Sequence, residues 1–409
     1  MKPKNHLNIW TMLLAILMIW LTAIFISLYC GLFDILNAMP KKRLLDYPLL
    51  TFFIAPFFFW ISAYLCRKYS PNAAGNHLQS ALLELKKHPH DFEKASPFLN
   101  VRLVVVKTIS SLISSFGGGA LGKEGPATHM SASIFAIFGQ RYKNFLPKIT
   151  LETWILAGCA SGLTMAFNSP IAGIVFAAEK SIKMGNKNFQ QSISWTLLTV
   201  AIITLIFHKS SPVFIFRAID FVSEIDLKFL VITAVICGII CLIVKKISFY
   251  FLSKTSAIKS NWWHLIPITA GLIVAGISFY SGVHSFGGGI STLQKALSSD
   301  TILLSYKEVG GRILNTIFTF SSGSAGGLIV PAMAIGAGIG SIVSAIAENS
   351  GGIFLLIGMA AFLSVMLGEP ITAAVLVFET TGQNIQALPF LIAATLISFA
   401  TGKWIEKIN

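Results

Sequence analysis

The chain has 409 residues, of which 54% are hydrophobic and 12% charged, with a formal net charge of +14. Several apolar runs are long enough to cross about 30 Å of hydrocarbon, which excludes an ordinary soluble domain and predicts an all-α, polytopic membrane protein. The positive charge does not point to nucleic acid. It is scattered over short connections, Lys41-Lys42-Arg43, Arg141 to Lys143 and Lys180 to Lys187, the pattern of orientation bias and of contact with membrane lipid headgroups, and no nucleic-acid recognition module accompanies it.

In chain order, the first expected span runs from Asn8 to Tyr29 behind a short basic start at Lys2 and Lys4. It is too long for a signal core and lacks a small-residue cleavage site, so it reads as a retained helix with a cytoplasmic N-terminus. A second span is expected at Leu49 to Cys66, followed by a break, SPNAAGNHLQ, at Ser70 to Gln79. The segment KKHPHDFEKAS, Lys86 to Ser96, is the most polar stretch and reads as a surface loop. Two further breaks follow, GGGALGKEGP at Gly117 to Pro126 and FNSPIAG at Phe167 to Gly173. Unbroken spans are expected again at Ser192 to Phe207, Phe229 to Val244 and Leu265 to Tyr280, and then a fourth break, SSGSAGGLIVP, ends at Pro331. The five cysteines, Cys30, Cys66, Cys159, Cys237 and Cys241, lie in or beside apolar runs without metal-ligand spacing. They read as packing residues with neither a disulfide framework nor a metal site, and no cofactor is called for.

The breaks at Pro126 and Pro331 lie about half a chain apart, each placing glycines before a proline-started apolar segment, where helix N-termini favour proline. Paired interruptions of this kind point to a transporter built from two repeats with a binding site near the bilayer midplane. One membrane domain over residues 1–409, in halves of about 1–215 and 216–409, accounts for the chain. Helix N-termini carry partial positive charge and unpaired N–H groups, so several converging would attract an anion. Lys123 and Glu124 stand in this setting. An ionisable group at membrane depth is costly unless paired or hydrated and is a functional candidate; the plainer reading pairs Glu124 with Lys123 at a headgroup interface. In the functional reading, an ionised Glu124 occupies an anion site as a tethered mimic of the substrate, and its protonation admits a free anion and couples passage to a proton.

GKEGP (Gly122 to Pro126), FNSPIAGIVFAAE (Phe167 to Glu179), GGLIVP (Gly326 to Pro331) and EPITAAVLVFETT (Glu369 to Thr381) resemble, in order, signature segments of the CLC family of chloride channels and chloride/proton antiporters. The resemblance covers nearly the whole chain. It implies an inverted repeat of tilted, broken helices and a homodimer with one pore per subunit in a bacterial-type inner membrane, and it makes Glu124 the external gating glutamate. Gly122, Lys123, Gly125, Leu328, Ile329 and Val330 are then expected around the anion. The chain stops at Asn409, so no cytoplasmic regulatory domain is expected.

Several positions depart from the family pattern. Where the family usually shows GSGIP with a serine hydroxyl on the anion, this chain reads NAAGN. Ala73 or Ala74 takes the serine's place, and backbone N–H groups of Ala74, Gly75 and Asn76, or the side chains of Asn76 or His77, are the remaining donors. Ile329 replaces a pore-lining phenylalanine. Lys180 stands where antiporters commonly carry the internal proton glutamate, which leaves open a lysine proton relay or an uncoupled channel. A GKPLY-like stretch bearing an anion-binding tyrosine is replaced by GKWIE, Gly402 to Glu406. Trp404 offers an indole N–H there, while the register points to Glu406, which in the plainer reading pairs with Lys403 or Lys407.

The expectation is therefore chloride transport, coupled or uncoupled to protons, with a fluoride/proton antiporter as the alternative suggested by the missing serine. An intramembrane hydrolase would need HExxH or GxSxG, and neither occurs. A cation pathway would want acidic side chains, yet Glu152, Glu179, Glu369 and Glu379 read as structural carboxylates at helix ends or paired with Arg or Lys.

Overall fold

The structure is a computed structural model, and it describes residues 9–75, 77–87, 92–144, 149–207, 212–214, 216, 226–298, 304–347 and 352–408. Asn76, the basic start at Lys2 and Lys4, residues 88–91 of the polar segment and the boundary at residue 215 lie outside the described residues.

Helix α1 (Ile9–Asp46) extends well beyond the span expected from its apolar run. Past Tyr29 the buried positions fall at Cys30, Phe33, Asn37, Pro40 and Leu44, a helical period that keeps one face on the core although the composition turns polar. Helix α2 (Pro48–Tyr69) starts with proline in its first turn, where the missing N–H is no loss. After the break come α3 (Leu78–Lys87), which buries Leu78, Ala81, Leu82 and Leu85, and a single turn, α4 (Phe92–Ala95). The stretch read as a surface loop thus begins as the end of α3, whose apolar face holds it down.

Then follow α5 (Val101–Phe116), α6 (Glu124–Arg141), α7 (Leu151–Phe167), α8 (Pro170–Met184) and α9 (Phe189–Phe207). Next come α10 (Leu227–Ala257), α11 (Leu265–Ser281), α12 (Ile290–Ser298), α13 (Tyr306–Ser321), α14 (Ile329–Ile346), α15 (Ile353–Leu367), α16 (Pro370–Thr381) and α17 (Leu388–Ile408). Among the described residues, eight helical stretches are long and apolar enough to cross a membrane, and the chain is an integral, multi-pass membrane protein. Lipid-facing side chains such as Phe53 and Leu205 are exposed on outer helices, as expected where hydrocarbon is the solvent.

The element order repeats. Helices α5 and α13 have 16 residues each, and α6 and α14 have 18 each. Helices α8 and α16 both start with proline and carry a glutamate, Glu179 or Glu379, at the same place. Packing repeats too. A Cβ at Gly162 of α7 would stand 2.6 Å from the Thr128 Cα of α6, and one at Gly340 of α14 would stand 1.9 Å from the Phe354 carbonyl oxygen of α15. These are close backbone approaches that membrane helices reach only through small residues. The centre is formed by α7, α14 and α15, buried along most of their length.

Candidate functional site

The two glycine-rich breaks meet. Gly122 N–H donates to the Gly327 carbonyl and Gly327 N–H to the Gly122 carbonyl, both at 2.8 Å, a reciprocal pair that crosses the chain just before α6 and α14. A Cβ at Gly125 would lie 2.7 Å from the Gly327 Cα, so only glycine lets the backbones touch there. The helices that follow therefore start side by side.

Glu124 opens α6 and is fully buried. Neither carboxylate oxygen makes a fully formed hydrogen bond among the described residues, but the backbone N–H groups of Glu124 itself and of Val330, at the starts of α6 and α14, lie close enough to interact with it. A Cβ at Gly122 would stand 2.1 Å from the Glu124 Oε2 and 3.5 Å from the Pro331 Cδ, which places the carboxylate in the space that Gly122 leaves open, beside the first turn of α14. The Thr128 hydroxyl donates to the Glu124 carbonyl at 2.8 Å. Lys123 does not neutralise Glu124 by direct pairing: its Nζ contacts the Asp34 Oδ2 of α1 at 2.5 Å. The plainer reading of a Lys123–Glu124 pair is thus corrected, because the Lys123 side chain has a carboxylate partner on another helix.

A cavity of about 540 Å³ reaches this crossing, lined there by Gly125, Thr128, Leu328 and Ile329. Its wall also carries Lys180, Lys183, Lys245, Lys403, Glu369 and Glu406. Four lysines against two glutamates give it a positive field suited to anions. Ile329 keeps the wall apolar where a phenylalanine was the family expectation, and Val330 is fully buried behind it. Lys180 is buried with its Nζ 2.8 Å from the Glu369 Oε1, and it donates to the Gln79 Oε1 at 3.2 Å. Glu406 lines the cavity while paired with Lys403 at 2.9 Å, and Trp404 is 65% exposed, so the indole is not directed inward.

The first-half loop lies differently from the expectation. The Ala74 N–H donates to the Pro71 carbonyl at 3.2 Å, a turn bond that removes it as an anion donor. Ala74 lines a separate cavity of about 270 Å³ with Cys66, Pro71 and Thr255, and Ala73 is buried. Gly75 adopts φ +56, the left-handed region open to glycine. Lys107, 1% exposed on α5, donates to the Ala73 and Gly75 carbonyls at 2.9 and 3.0 Å and clamps the loop. The sequence reading passed over Lys107, although a lone lysine inside VRLVVVKTISSL is the same kind of signal as Glu124.

Two of the four carboxylates read as structural, Glu179 and Glu379, serve as reciprocal clasps. Glu179 of α8 accepts from the N–H groups of Ile371 and Thr372 at 3.2 and 2.6 Å and from the Thr372 hydroxyl at 2.5 Å. Glu379 of α16 accepts from the N–H groups of Ile171 and Ala172 at 3.1 and 2.9 Å. Each helix caps the N-terminus of the other, where a negative charge is favourable.

Residues 57–403 match the family described as voltage gated chloride channel. The chain is 26% identical over 318 residues to the voltage-gated ClC-type chloride channel ClcB of Escherichia coli O81 (strain ED1a), covering 74% of this chain and 73% of that protein. The ClcB of Escherichia coli strain SMS-3-5 is likewise 26% identical, over 321 residues. Among solved structures, a slow cyanobacterial Cl−/H+ antiporter superposes with a TM-score of 0.74 at 18% identity, over 97% of this chain and 94% of that one. A CLC-type fluoride/proton antiporter gives 0.75 at 19%, over 96% of each. Taken with the paired helix starts and their shared cavity, these likenesses identify the chain as a member of the voltage-gated chloride channel (CLC) family, with the CLC transporter fold.

Proposed function

We propose that the chain moves chloride, or a similar small anion, across a bacterial inner membrane past the crossing of α6 and α14, with Glu124 as its gate and proton carrier. The observation that carries this reading is the Glu124 carboxylate, fully buried against the backbone N–H groups that start α6 and α14, at a helix start that opens on a basic cavity. A group so placed is costly as an anion, and the same place would suit a free anion once the carboxylate is protonated and swings away. Gly122 and Gly125 let the backbone approach, Leu328, Ile329 and Val330 bring the α14 start, and Gly75 belongs to the first-half loop. The two halves and a homodimer with one pathway per subunit belong to the same reading.

A second reading, fluoride/proton antiport, is favoured by the alanines at the serine position and by the likeness to a fluoride/proton antiporter. In proteoliposomes with the voltage clamped by a potassium ionophore, the proposal expects chloride-driven uphill proton movement in the wild type. Glu124→Gln abolishes the proton movement and keeps or raises anion flux. Proton coupling unchanged in Glu124→Gln refutes the gate, and rapid fluoride flux without chloride flux selects the second reading.

A further inference from the structure

Lys180 stands at the internal proton position expected from the family, and its side chain is held in an ion pair with Glu369. Its partner has the opposite chemistry. Glu369 is 2% exposed, its Oε1 lies 2.8 Å from the Lys180 Nζ and 3.5 Å from the Lys183 Nζ, and its Oε2 is buried without a hydrogen-bond partner. Glu369 occupies the N-cap position of α16 but makes no cap bond, because Glu179 already takes the Ile371 and Thr372 amides. Freed from capping, Glu369 lines the cavity whose wall also includes Gly125 and Thr128 of α6, the first of them the chain neighbour of Glu124.

We infer that Glu369, held by Lys180, is the carboxylate that hands protons between the cavity and Glu124. The inference rests on the proton-coupled reading above. A hydronium ion in the cavity loses one O–H bond and becomes water as a new O–H bond forms on Glu369. That bond then breaks as the proton passes through cavity water to the Glu124 carboxylate, leaving Glu369 ionised and Glu124 neutral, with no electron transferred. The cavity, of about 540 Å³ and largely apolar apart from its lysines and glutamates, has room for such waters beside those charged groups. The charged groups facing it are Lys180 and Lys183 of α8, Lys245 of α10, and Lys403 and Glu406 of α17. While Glu369 is protonated the charge of Lys180 is uncompensated, and the cavity holds an anion more strongly.

The test records chloride and proton movement together in proteoliposomes for the wild type, Glu369→Gln, Lys180→Met and the double variant Glu369→Gln/Lys180→Met. The double variant removes both charges, so no unpaired charge is left buried to unfold the protein. We expect the ratio of proton to chloride flux to fall about tenfold or more in both variants lacking Glu369, with chloride flux still measurable. Lys180→Met, which keeps the carboxylate, retains proton movement, and the infrared band of a protonated carboxyl that appears on acidification weakens in Glu369→Gln. Proton movement that survives in the double variant overturns the role of Glu369 and leaves the antiport reading standing. A wild type that moves chloride without protons overturns the antiport reading and this role with it. Loss of chloride flux together with proton flux in the double variant assigns Glu369 to structure instead.

Discussion

The clasp between α8 and α16 sets the position of the Lys180–Glu369 pair, and Glu179→Ala measures its strength. The Glu179 carboxylate accepts three hydrogen bonds, from Ile371, Thr372 and the Thr372 hydroxyl, at 3.2, 2.6 and 2.5 Å. Bonds to a charged acceptor contribute about 1.5–3 kcal/mol each, but three that share one carboxylate do not add. A loss of about 2–4 kcal/mol is therefore expected, more than one such bond and less than the sum of three. Glu179→Gln keeps an acceptor oxygen and loses the charge that favours a helix start, so its cost should be about 1–2 kcal/mol. Thermal unfolding in detergent, followed by loss of the monodisperse peak, should rank the wild type above Glu179→Gln and Glu179→Ala last. An alanine variant melting with the wild type, or a glutamine variant as damaged as the alanine one, would refute the clasp.

Gly122→Ala puts a Cβ where the Glu124 Oε2 now lies, 2.1 Å from it; it should expel the carboxylate, raise anion flux and weaken proton coupling, measured by paired flux recordings. Lys107→Met cuts both clamps on the Ala73 and Gly75 carbonyls. It should cost about 2–4 kcal/mol in detergent unfolding and weaken anion binding measured by calorimetry. Ala74→Ser should leave the ratio of chloride to nitrate flux unchanged, since Ala74 lines the separate cavity and its amide is already bonded to Pro71; a shifted ratio would bring that residue back to the pathway.

Much of this was legible in the sequence because glycine and proline punctuate the chain where backbone must approach backbone. The breaks ending at Pro126 and Pro331 marked the two helix starts, and the structure joins them through Gly122 and Gly327. The isolated Glu124 was legible for a different reason, the cost of a carboxylate among apolar residues. What escaped was pairing over long sequence separation. Nothing local in Lys123 names Asp34 as its partner, and nothing in Lys180 names Glu369. The length of α1 escaped as well, since its second half keeps a buried face by period while losing the apolar run that marks a span. The first-half loop misled because the expectation counted N–H groups without counting the turn bond that uses the one at Ala74.

The central claim is that a small anion crosses the membrane through this chain past the Glu124 carboxylate. Its most direct test is the initial rate of efflux from proteoliposomes loaded with chloride or, in parallel, fluoride at clamped voltage, wild type beside Glu124→Ala and protein-free liposomes. The account predicts efflux well above the protein-free rate in the wild type and an equal or faster rate in Glu124→Ala. Chloride and fluoride rates indistinguishable from protein-free liposomes in both proteins would contradict it.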